Sequence, residues 1–235
     1  YKTENYEDIQ KKLAPFKKEN DKLKKNISTF KKNTEQKKKY KQCINKNSPI
    51  GSYKNKIAIL FSMYNIDKRN KITNDILKYY VYELNYPRNR IYIVDSSNNG
   101  VSETLVPKEN QCVFSQDTEF KSINTNNTSI LEKLSLLKAC NTLNFKDNDY
   151  IIKITTKYKI SNIRDINPPH GTDFILQKNR RLNWQPSEIF GASKQKFKKL
   201  IIDLSKYNDL MESSLYKCTE KKSICKLPLF KNLAN

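Results

Sequence analysis

Three short runs of residues that are apolar at nearly every position constrain the fold of this 235-residue chain more than any other feature. They are Ile57–Met63, Ile91–Val94 and Tyr150–Ile154, and the stretches between them show helical spacing of apolar residues. A strand that is apolar at nearly every position is typical of a parallel sheet covered on both faces. The alternation of such strands with helices predicts an α/β domain with a mostly parallel central sheet flanked by helices.

Weaker patterns complete the predicted domain. Helices are expected at 74–84, 129–140 and 194–204, and short strands at 111–115 and 173–176. Ser129 is the expected N-cap of the second helix, because Glu132 follows it at the spacing of a capping box. The chain has four glycines and neither a GxGxxG motif nor a P-loop, which disfavours dinucleotide dehydrogenases and P-loop kinases.

The first 50 residues differ from the rest in composition. The formal net charge of the chain is +21, and about half of this excess lies in the first 55 residues. Sparse apolar residues at helical spacing predict a basic, partly helical stalk or linker over 1–50, with self-association as a possible role, followed by a globular domain over 51–235. The basicity has two explanations that stay open: an AT-rich genome, or binding to nucleic acid or an anionic surface.

Cysteine and hydropathy patterns bear on the compartment. None of the five cysteines forms a CxxC pair and the chain has one histidine, so a zinc site is not expected. Cys218 and Cys225 are close enough in sequence for a local disulfide, and two free thiols are the alternative. No run of 18 apolar residues occurs. The sequence assigns no location, and two alternatives stay open: a cytoplasmic protein, or a membrane-tethered one if an upstream anchor was removed.

Polar residues follow two of the apolar strands. Ile91–Val94 runs into Asp95-Ser96-Ser97, and Tyr150–Ile154 runs into Thr155-Thr156-Lys157. In open α/β sheets, ligands bind at the carboxyl ends of the strands. An acid with hydroxyls suits a ribose or a base edge, whereas hydroxyls with lysines suit phosphates. The two segments together therefore predict a nucleotide-type ligand.

Several of these segments together resemble nucleotide-sugar glycosyltransferases of the GT-A fold. The resemblance covers roughly residues 56–230 and is carried by 57–64, 91–100, 129–140, 149–158 and 184–191. It is closest to divergent viral and microbial members whose fourth strand runs into a Lys-Ile-Thr-Gly-Lys/Arg-Tyr-like segment, which here reads Lys153-Ile154-Thr155-Thr156-Lys157-Tyr158. It implies a Rossmann-like fold, a UDP- or GDP-sugar donor, and transfer of the sugar to a hydroxyl of a glycan or glycoprotein.

The resemblance also implies roles for individual residues. The base and ribose of the nucleotide would contact Ser62, Met63, Tyr64, Asp95, Ser96 and Ser97. The alternative for Asp95 and its neighbours is that they only turn the chain. Lys153 and Lys157 would stabilise the leaving diphosphate, which needs positive charge from a metal or from basic side chains. Their alternative is ordinary surface charge in a lysine-rich chain.

The chain departs from the GT-A pattern at the metal site. A DxD motif usually follows the fourth strand, but Thr155, Thr156 and Lys157 stand there. The triplet Asp147-Asn148-Asp149 precedes the strand, at the wrong end of the sheet, where it is expected to terminate a turn. No metal ligand is therefore assigned, and dependence on Mn²⁺ or Mg²⁺ stays open.

A second informative segment is Trp184–Gly191, whose apolar residues lead into a helix. The resemblance implies that Glu188 is the catalytic base, as in enzymes that invert configuration, and that Trp184 stacks on a sugar ring. The alternatives are a helix-start acid and a core tryptophan. Whether configuration is inverted or retained stays open. His170 is a further candidate for contact with the acceptor or the sugar, and the alternative is a loop residue without a functional role. Arg180 and Arg181 either bind an anion or face solvent.

Two other functions remain as alternatives. The basic surface fits a nucleic-acid-binding protein, but the aromatic residues are not interleaved with a basic cluster, so no stable nucleic-acid complex is expected. The missing DxD motif fits a scaffold that has kept the fold and lost catalysis.

Overall fold

The structure is a computed structural model, and it describes residues 41–42, 57–64, 68–123, 125, 127–163, 166, 168, 171–177 and 183–227. His170, Arg180 and Arg181 lie outside these residues. So does the segment 1–50, except for Lys41–Gln42, which forms a strand of the central sheet although it falls within the predicted stalk.

The described residues form one eight-stranded sheet. Its strands are β1 (Lys41–Gln42), β2 (Ile57–Met63), β3 (Ile91–Asp95), β4 (Gln111–Val113), β5 (Tyr150–Thr155), β6 (Phe174–Gln177), β7 (Ile189–Ser193) and β8 (Ile224–Leu227). Their order across the sheet is β1-β8-β6-β7-β5-β2-β3-β4. All pairings are parallel except the two made by β7, which runs antiparallel to both β5 and β6. The predicted mostly parallel sheet is therefore confirmed.

Five α-helices accompany the sheet in the part of the chain that the structure describes. They are α1 (Lys68–Lys78), α2 (Gln116–Glu119), α3 (Thr128–Thr142), α4 (Lys194–Ser205) and α5 (Met211–Thr219). A π-helical turn, Tyr79–Glu83, continues α1, and short 3₁₀ turns lie at Arg88–Arg90, Lys108–Asn110 and Lys121–Ile123. The first predicted helix thus begins at Lys68 rather than at Asn74.

The predicted cap of α3 is wrong by two residues. Asn127 is the N-cap, because its side-chain oxygen accepts the backbone N–H of Ser129 at 3.0 Å. Ser129 lies inside the helix, and Glu132 reaches the sheet instead of closing a capping box.

Helices cover both faces of the sheet, as the unbroken apolar strands predict. On one face, Phe61 of β2 packs edge-to-face on buried Tyr80, with ring centroids 5.1 Å apart. On the other face, Phe190 of β7 stacks on Phe197 of α4 at 5.8 Å. Leu136 and Ala139 of α3 are completely buried. The domain is therefore doubly wound, as the Rossmann-like expectation requires.

A buried lysine joins α3 to the segment around the start of α5. Lys133 is 1% exposed, and its ammonium donates hydrogen bonds to the carbonyls of Tyr207 (2.9 Å) and Asp209 (2.6 Å) and to Ser214 Oγ (2.8 Å). Burial lowers the pKa of Lys133 below its ordinary value. Three neutral oxygens therefore satisfy all three donors of this ammonium.

The cysteines and the helices settle two further expectations. Cys218 is a free thiol whereas Cys225 is disulfide-bonded, so neither a bond between them nor a pair of free thiols is correct. Burial raises the pKa of the Cys218 thiol to about 11.

Among the described helices, none has the length and apolarity needed to cross a bilayer.

Candidate active site

The carboxyl ends of three neighbouring parallel strands form the edge where the site was predicted. Ser62 of β2 is in register with Thr155 of β5, and Met63 with Asp95 of β3. Strand order reverses here, because β3 and β4 lie on one side of β2 and β5 lies on the other. Crevices at such switch points, outside the carboxyl ends of strands, are the usual ligand sites of open α/β sheets.

The antiparallel direction of β7 brings a fourth segment to this edge. Ile189 at the start of β7 pairs with Ile154 near the end of β5, and the backbone N–H of Thr155 donates to the Glu188 carbonyl at 3.0 Å. Glu188 is half-buried. Burial, and secondarily the negative charge of Glu188, raise the pKa of Tyr158. The predicted base therefore lies beside the loop that follows β5.

Asp95 shapes the loop after β3. Its carboxylate is completely buried and, within its own loop, accepts four hydrogen bonds: from the backbone N–H groups of Ser97 (3.0 Å), Asn99 (3.1 Å) and Gly100 (2.7 Å), and from Ser97 Oγ (2.6 Å). Both carboxylate oxygens are turned into the protein's own loop. This geometry favours the alternative in which Asp95 turns the chain, and it makes Asp95 the residue that holds Ser96 and Ser97 in place.

The residues at the end of β2 face different directions. Met63 is 7% exposed and its side chain belongs to the apolar core. Ser62 Oγ donates to Glu132 Oε1 at 3.2 Å, on the opposite face of the strand. Tyr64 follows the strand and is half-buried. Of the three predicted nucleotide contacts on β2, only Ser62 and Tyr64 present side chains outside that core.

The two lysines predicted to face a diphosphate occupy very different environments. Lys153 lies within β5 and is completely buried, with its ammonium 2.6 Å from Glu132 Oε1, 2.9 Å from the Ser187 carbonyl oxygen and 5.5 Å from the Phe190 ring centroid. Lys157 lies just beyond the strand and is exposed, and its ammonium makes no hydrogen bond or ion pair with another described residue. Lys157 is therefore the open cation of the pair, and Lys153 is already engaged inside the protein.

Tyr80 fixes the loop that carries Lys157. The Tyr80 hydroxyl donates to the carbonyl of Tyr158 at 3.2 Å and accepts the N–H of Ile160 at 3.1 Å. Burial raises its pKa, which keeps the hydroxyl protonated as a donor. The sequence offers no sign of this role, because Tyr80 lies in the apolar stripe of its helix.

The residues at this edge do not fit a divalent metal. In the described ranges no group of three or more His, Cys, Asp or Glu side chains is arranged to hold an ion. The triplet at 147–149 precedes β5 as predicted, where buried Asp149 pairs with Arg90 and accepts the N–H of Lys146. Asp147 pairs with Lys194 at 2.8 Å, a hydrogen bond that lowers the pKa of Asp147.

The sequence analysis missed the contribution of Glu132 to this edge. Its Oε1 accepts from both Lys153 and Ser62, and 28% of its side chain is exposed. One signal was available: Lys153 interrupts an otherwise apolar strand, and a buried lysine requires a partner. Nothing in the sequence pointed to α3 as the source of that partner.

Thr155→Val is expected to raise the free energy of unfolding by about 1 kcal/mol, because a buried hydroxyl without a partner is destabilising. Thr155 Oγ1 is buried and has no hydrogen-bond partner among the described residues. Urea denaturation measures the change, and Thr156→Val, at the half-buried neighbouring position, is the control. A loss of stability in Thr155→Val would show that the hydroxyl is satisfied after all.

Comparisons with known proteins give distant structural likenesses only. No protein-family model matches the chain, and no curated protein sequence matches it. Glucosyl-3-phosphoglycerate synthase from Mycobacterium tuberculosis, in complex with Mn²⁺, UDP and phosphoglyceric acid, aligns with 11% identity and a TM-score of 0.41 over 75% of this chain and 69% of that one. The complex of the same enzyme with phosphoglyceric acid aligns with 13% identity and a TM-score of 0.45, over 78% of this chain and 76% of that one.

A cytidylyltransferase from Leptospira borgpetersenii gives 17% identity and a TM-score of 0.42 over 76% of this chain and 78% of that one. Because all three TM-scores are below 0.5, these likenesses do not by themselves establish the fold or the activity of this chain.

Proposed function

We propose that this chain is a glycosyltransferase that binds a nucleotide-diphosphate sugar at the carboxyl edge of β5, β2 and β3 and transfers the sugar to a hydroxyl group. The observation that supports this most is the convergence of two segments at the switch point. The Asp95-ordered loop offers hydroxyls, and the loop after β5 offers the open cation Lys157. Hydroxyls suit the base and ribose of a nucleoside diphosphate, and a cation suits its phosphates.

The proposed division of roles follows the exposure of the side chains. Tyr64 and Ser97, which are half-buried, contact the base and ribose, and the exposed Lys157 lies against the diphosphate. Ser96 is 7% exposed, so it is not assigned a contact of its own. The positive charge of Lys157 stabilises the negative charge that develops on the leaving group. Lys153 is not assigned to the diphosphate, because its ammonium is buried and paired with Glu132.

Glu188 is the proposed general base. Its carboxylate takes the proton of the acceptor hydroxyl as that oxygen bonds to the anomeric carbon of the sugar. The bond from that carbon to the diphosphate breaks at the same time, and the diphosphate leaves with the electron pair. A single displacement of this kind inverts the configuration. Trp184, half-buried four residues earlier, is the proposed stacking surface for a sugar ring, and His170 a further acceptor contact.

The acceptor class and the N-terminal segment complete the proposal. The acceptor is a glycan or a glycoprotein, as the sequence resemblance implies. The catalytic domain corresponds to residues 51–235 together with strand β1 (Lys41–Gln42), and the remaining part of the basic segment 1–50 tethers the protein or mediates self-association.

Lys157→Met is expected to weaken binding of the nucleoside diphosphate about tenfold, since a charge-assisted bond to phosphate contributes about 1.5 kcal/mol or more. Thermal-shift titrations with UDP, GDP and CMP measure this, because a ligand at 100 times its dissociation constant stabilises the native state by about 2.7 kcal/mol. Lys108→Met is the matched control, since Lys108 is an exposed lysine just before β4, at the opposite edge of the sheet.

Three outcomes would contradict the proposal. The wild-type protein binds none of the nucleotides, Lys108→Met weakens binding as much as Lys157→Met does, or a bound nucleotide sugar is neither hydrolysed nor transferred. The last result would favour the inactive scaffold.

A further inference from the structure

We propose that Glu132 forms a hydroxyl-binding subsite at the crevice between β2 and β5, where its carboxylate accepts hydrogen bonds from vicinal hydroxyls of the ligand. The inference deepens the proposed function and rests on it. Lys153 is the positioning residue that holds the carboxylate in place.

Glu132 lies directly over the switch point. It belongs to α3, the helix that connects β4 to β5 across the sheet, and it lies near the amino end of that helix. Its Oε1 contacts one residue on each side of the crevice: Ser62 on β2 at 3.2 Å and Lys153 on β5 at 2.6 Å. The side chain therefore spans the two strands between which a ligand is expected.

Half of the hydrogen-bonding capacity of this carboxylate is unused. Both contacts are made by Oε1, and within the described ranges Oε2 has no hydrogen-bond or ion-pair partner. The side chain is 28% exposed, so it reaches the surface of the protein. A carboxylate has about four lone-pair sites, and a fixed one with a vacant oxygen is a ready acceptor.

Burial of Lys153 does not by itself require this carboxylate. The adjacent helix residue, Lys133, is equally buried and is satisfied by three neutral oxygens. Lys153 instead couples its ammonium to a carboxylate that remains partly exposed. The pair thus holds an oriented carboxylate oxygen at the surface. A set of neutral oxygens like the one around Lys133 would not provide such a group.

The local charge selects the part of the ligand that fits. The Lys153 ammonium already neutralises Glu132, which disfavours a second cation at the same carboxylate. A phosphate offers acceptor oxygens, which cannot donate a hydrogen bond to the vacant carboxylate oxygen. The neutral donors of a nucleotide sugar, the hydroxyls of the ribose or of the transferred sugar, are accepted without either penalty.

The same lysine links this subsite to the proposed base. Lys153 Nζ donates to the Ser187 carbonyl at 2.9 Å, one residue before Glu188, and Ser187 Oγ donates to Glu212 Oε1 at 2.7 Å. A change in the position of Lys153 is therefore transmitted both to Glu132 and to the segment that carries Glu188.

The test compares Glu132→Gln with Glu119→Gln, which alters an exposed carboxylate on α2 that pairs with Lys138. The probes are UDP, 2′,3′-dideoxy-UDP and UDP-glucose, with the corresponding guanosine and mannose compounds, titrated against the full chain. Glu132→Gln is expected to weaken binding of the hydroxyl-bearing ligand about tenfold, whereas Glu119→Gln leaves it unchanged. Glu132→Asp, which withdraws the charge by one methylene, is the second variant and is expected to weaken binding similarly.

The pattern across the probes identifies the source of the hydroxyls. Weaker binding of UDP with unchanged binding of the dideoxy compound supports the ribose. Unchanged binding of UDP with weaker binding of UDP-glucose supports the sugar. Equal affinities of wild type and both Glu132 variants for every probe would overturn the inference. If the wild type binds no nucleotide, it is the proposed function that fails.

Lys153→Met and Lys153→Arg test the positioning role. The methionine variant is expected to bind the same ligand about tenfold more weakly while remaining folded, because replacing a buried charge by an apolar side chain of similar length is often tolerated. The arginine variant is expected to recover part of the affinity. Wild-type affinity in Lys153→Met would show that Glu132 needs no such support.

Discussion

Asp95→Ala is expected to lower the free energy of unfolding by about 3 kcal/mol, the largest effect of any substitution in the loop after β3. The variant removes an acceptor for four hydrogen bonds, three of them from backbone N–H groups between Ser97 and Gly100. Bonds to a charged acceptor contribute more than neutral ones, but the freed N–H groups reach water once the loop opens. The expected loss of stability is therefore smaller than the loss of four independent hydrogen bonds would give.

Urea denaturation of Asp95→Ala measures this loss, and Asp117→Ala is its control. Asp117 is an exposed residue of α2, and its removal changes the net charge of the protein by the same amount. A loss below about 0.5 kcal/mol in Asp95→Ala, the range of ordinary surface substitutions, would show that the loop is held by other contacts.

The central elements were predictable because they are encoded locally. Ile57–Met63 and Tyr150–Ile154 are apolar at nearly every position, and only a sheet covered on both faces accommodates such strands. The strands β7 and β8 were not predicted. β7 contains Gly191 and Ser193, which lower strand propensity, and it is a strand because β5 and β6 pair with it on both sides.

The candidate site also has a part that could be predicted from the sequence and a part that could not. The sequence alone placed Asp95–Ser97 and Lys157 at strand ends, because strand ends are visible where apolar residues give way to polar ones. The engagement of Lys153 by Glu132 was not visible, since these residues are 21 positions apart and meet only when α3 packs on the sheet. Strand alternation directs Lys153 toward that helix, and only the fold determines which residue of the helix meets it.

The two buried lysines show why charge in the sequence was a poor guide to function. Lysines fill this chain, and most of those whose side chains the structure describes face solvent. Lys133 joins helices through neutral oxygens, whereas Lys153 orients a carboxylate at the edge of the sheet. The lysine that we propose for the diphosphate is Lys157, which is exposed just beyond the end of β5. The partners of each ammonium group, rather than the number of lysines in the sequence, distinguish the roles of these three lysines.

Gly191→Ala is expected to lower the free energy of unfolding by about 3 kcal/mol, because β5 and β7 approach too closely for a side chain at this position. A Cβ on Gly191 would lie 2.6 Å from the carbonyl oxygen of Ile151 and 3.0 Å from Ile152 Cγ1. The first of these atoms belongs to the backbone of a central strand, so it cannot move aside without disturbing the pairing of β5 with β2.

Chemical denaturation of Gly191→Ala, with Gly171→Ala as control, separates this clash from the general effect of replacing a glycine. A Cβ on Gly171 meets nothing within 4 Å, but the residue has a φ of +77°, so the control is expected to lose about 1 kcal/mol through backbone strain alone. Lys153 lies on β5, and the segment with Ser187 and Glu188 leads directly into β7. Because the clash forces these two strands apart, Gly191→Ala is also expected to weaken nucleotide binding. Equal stability losses in the two variants would mean that the strands separate freely, and that β7 does not hold Glu188 against β5.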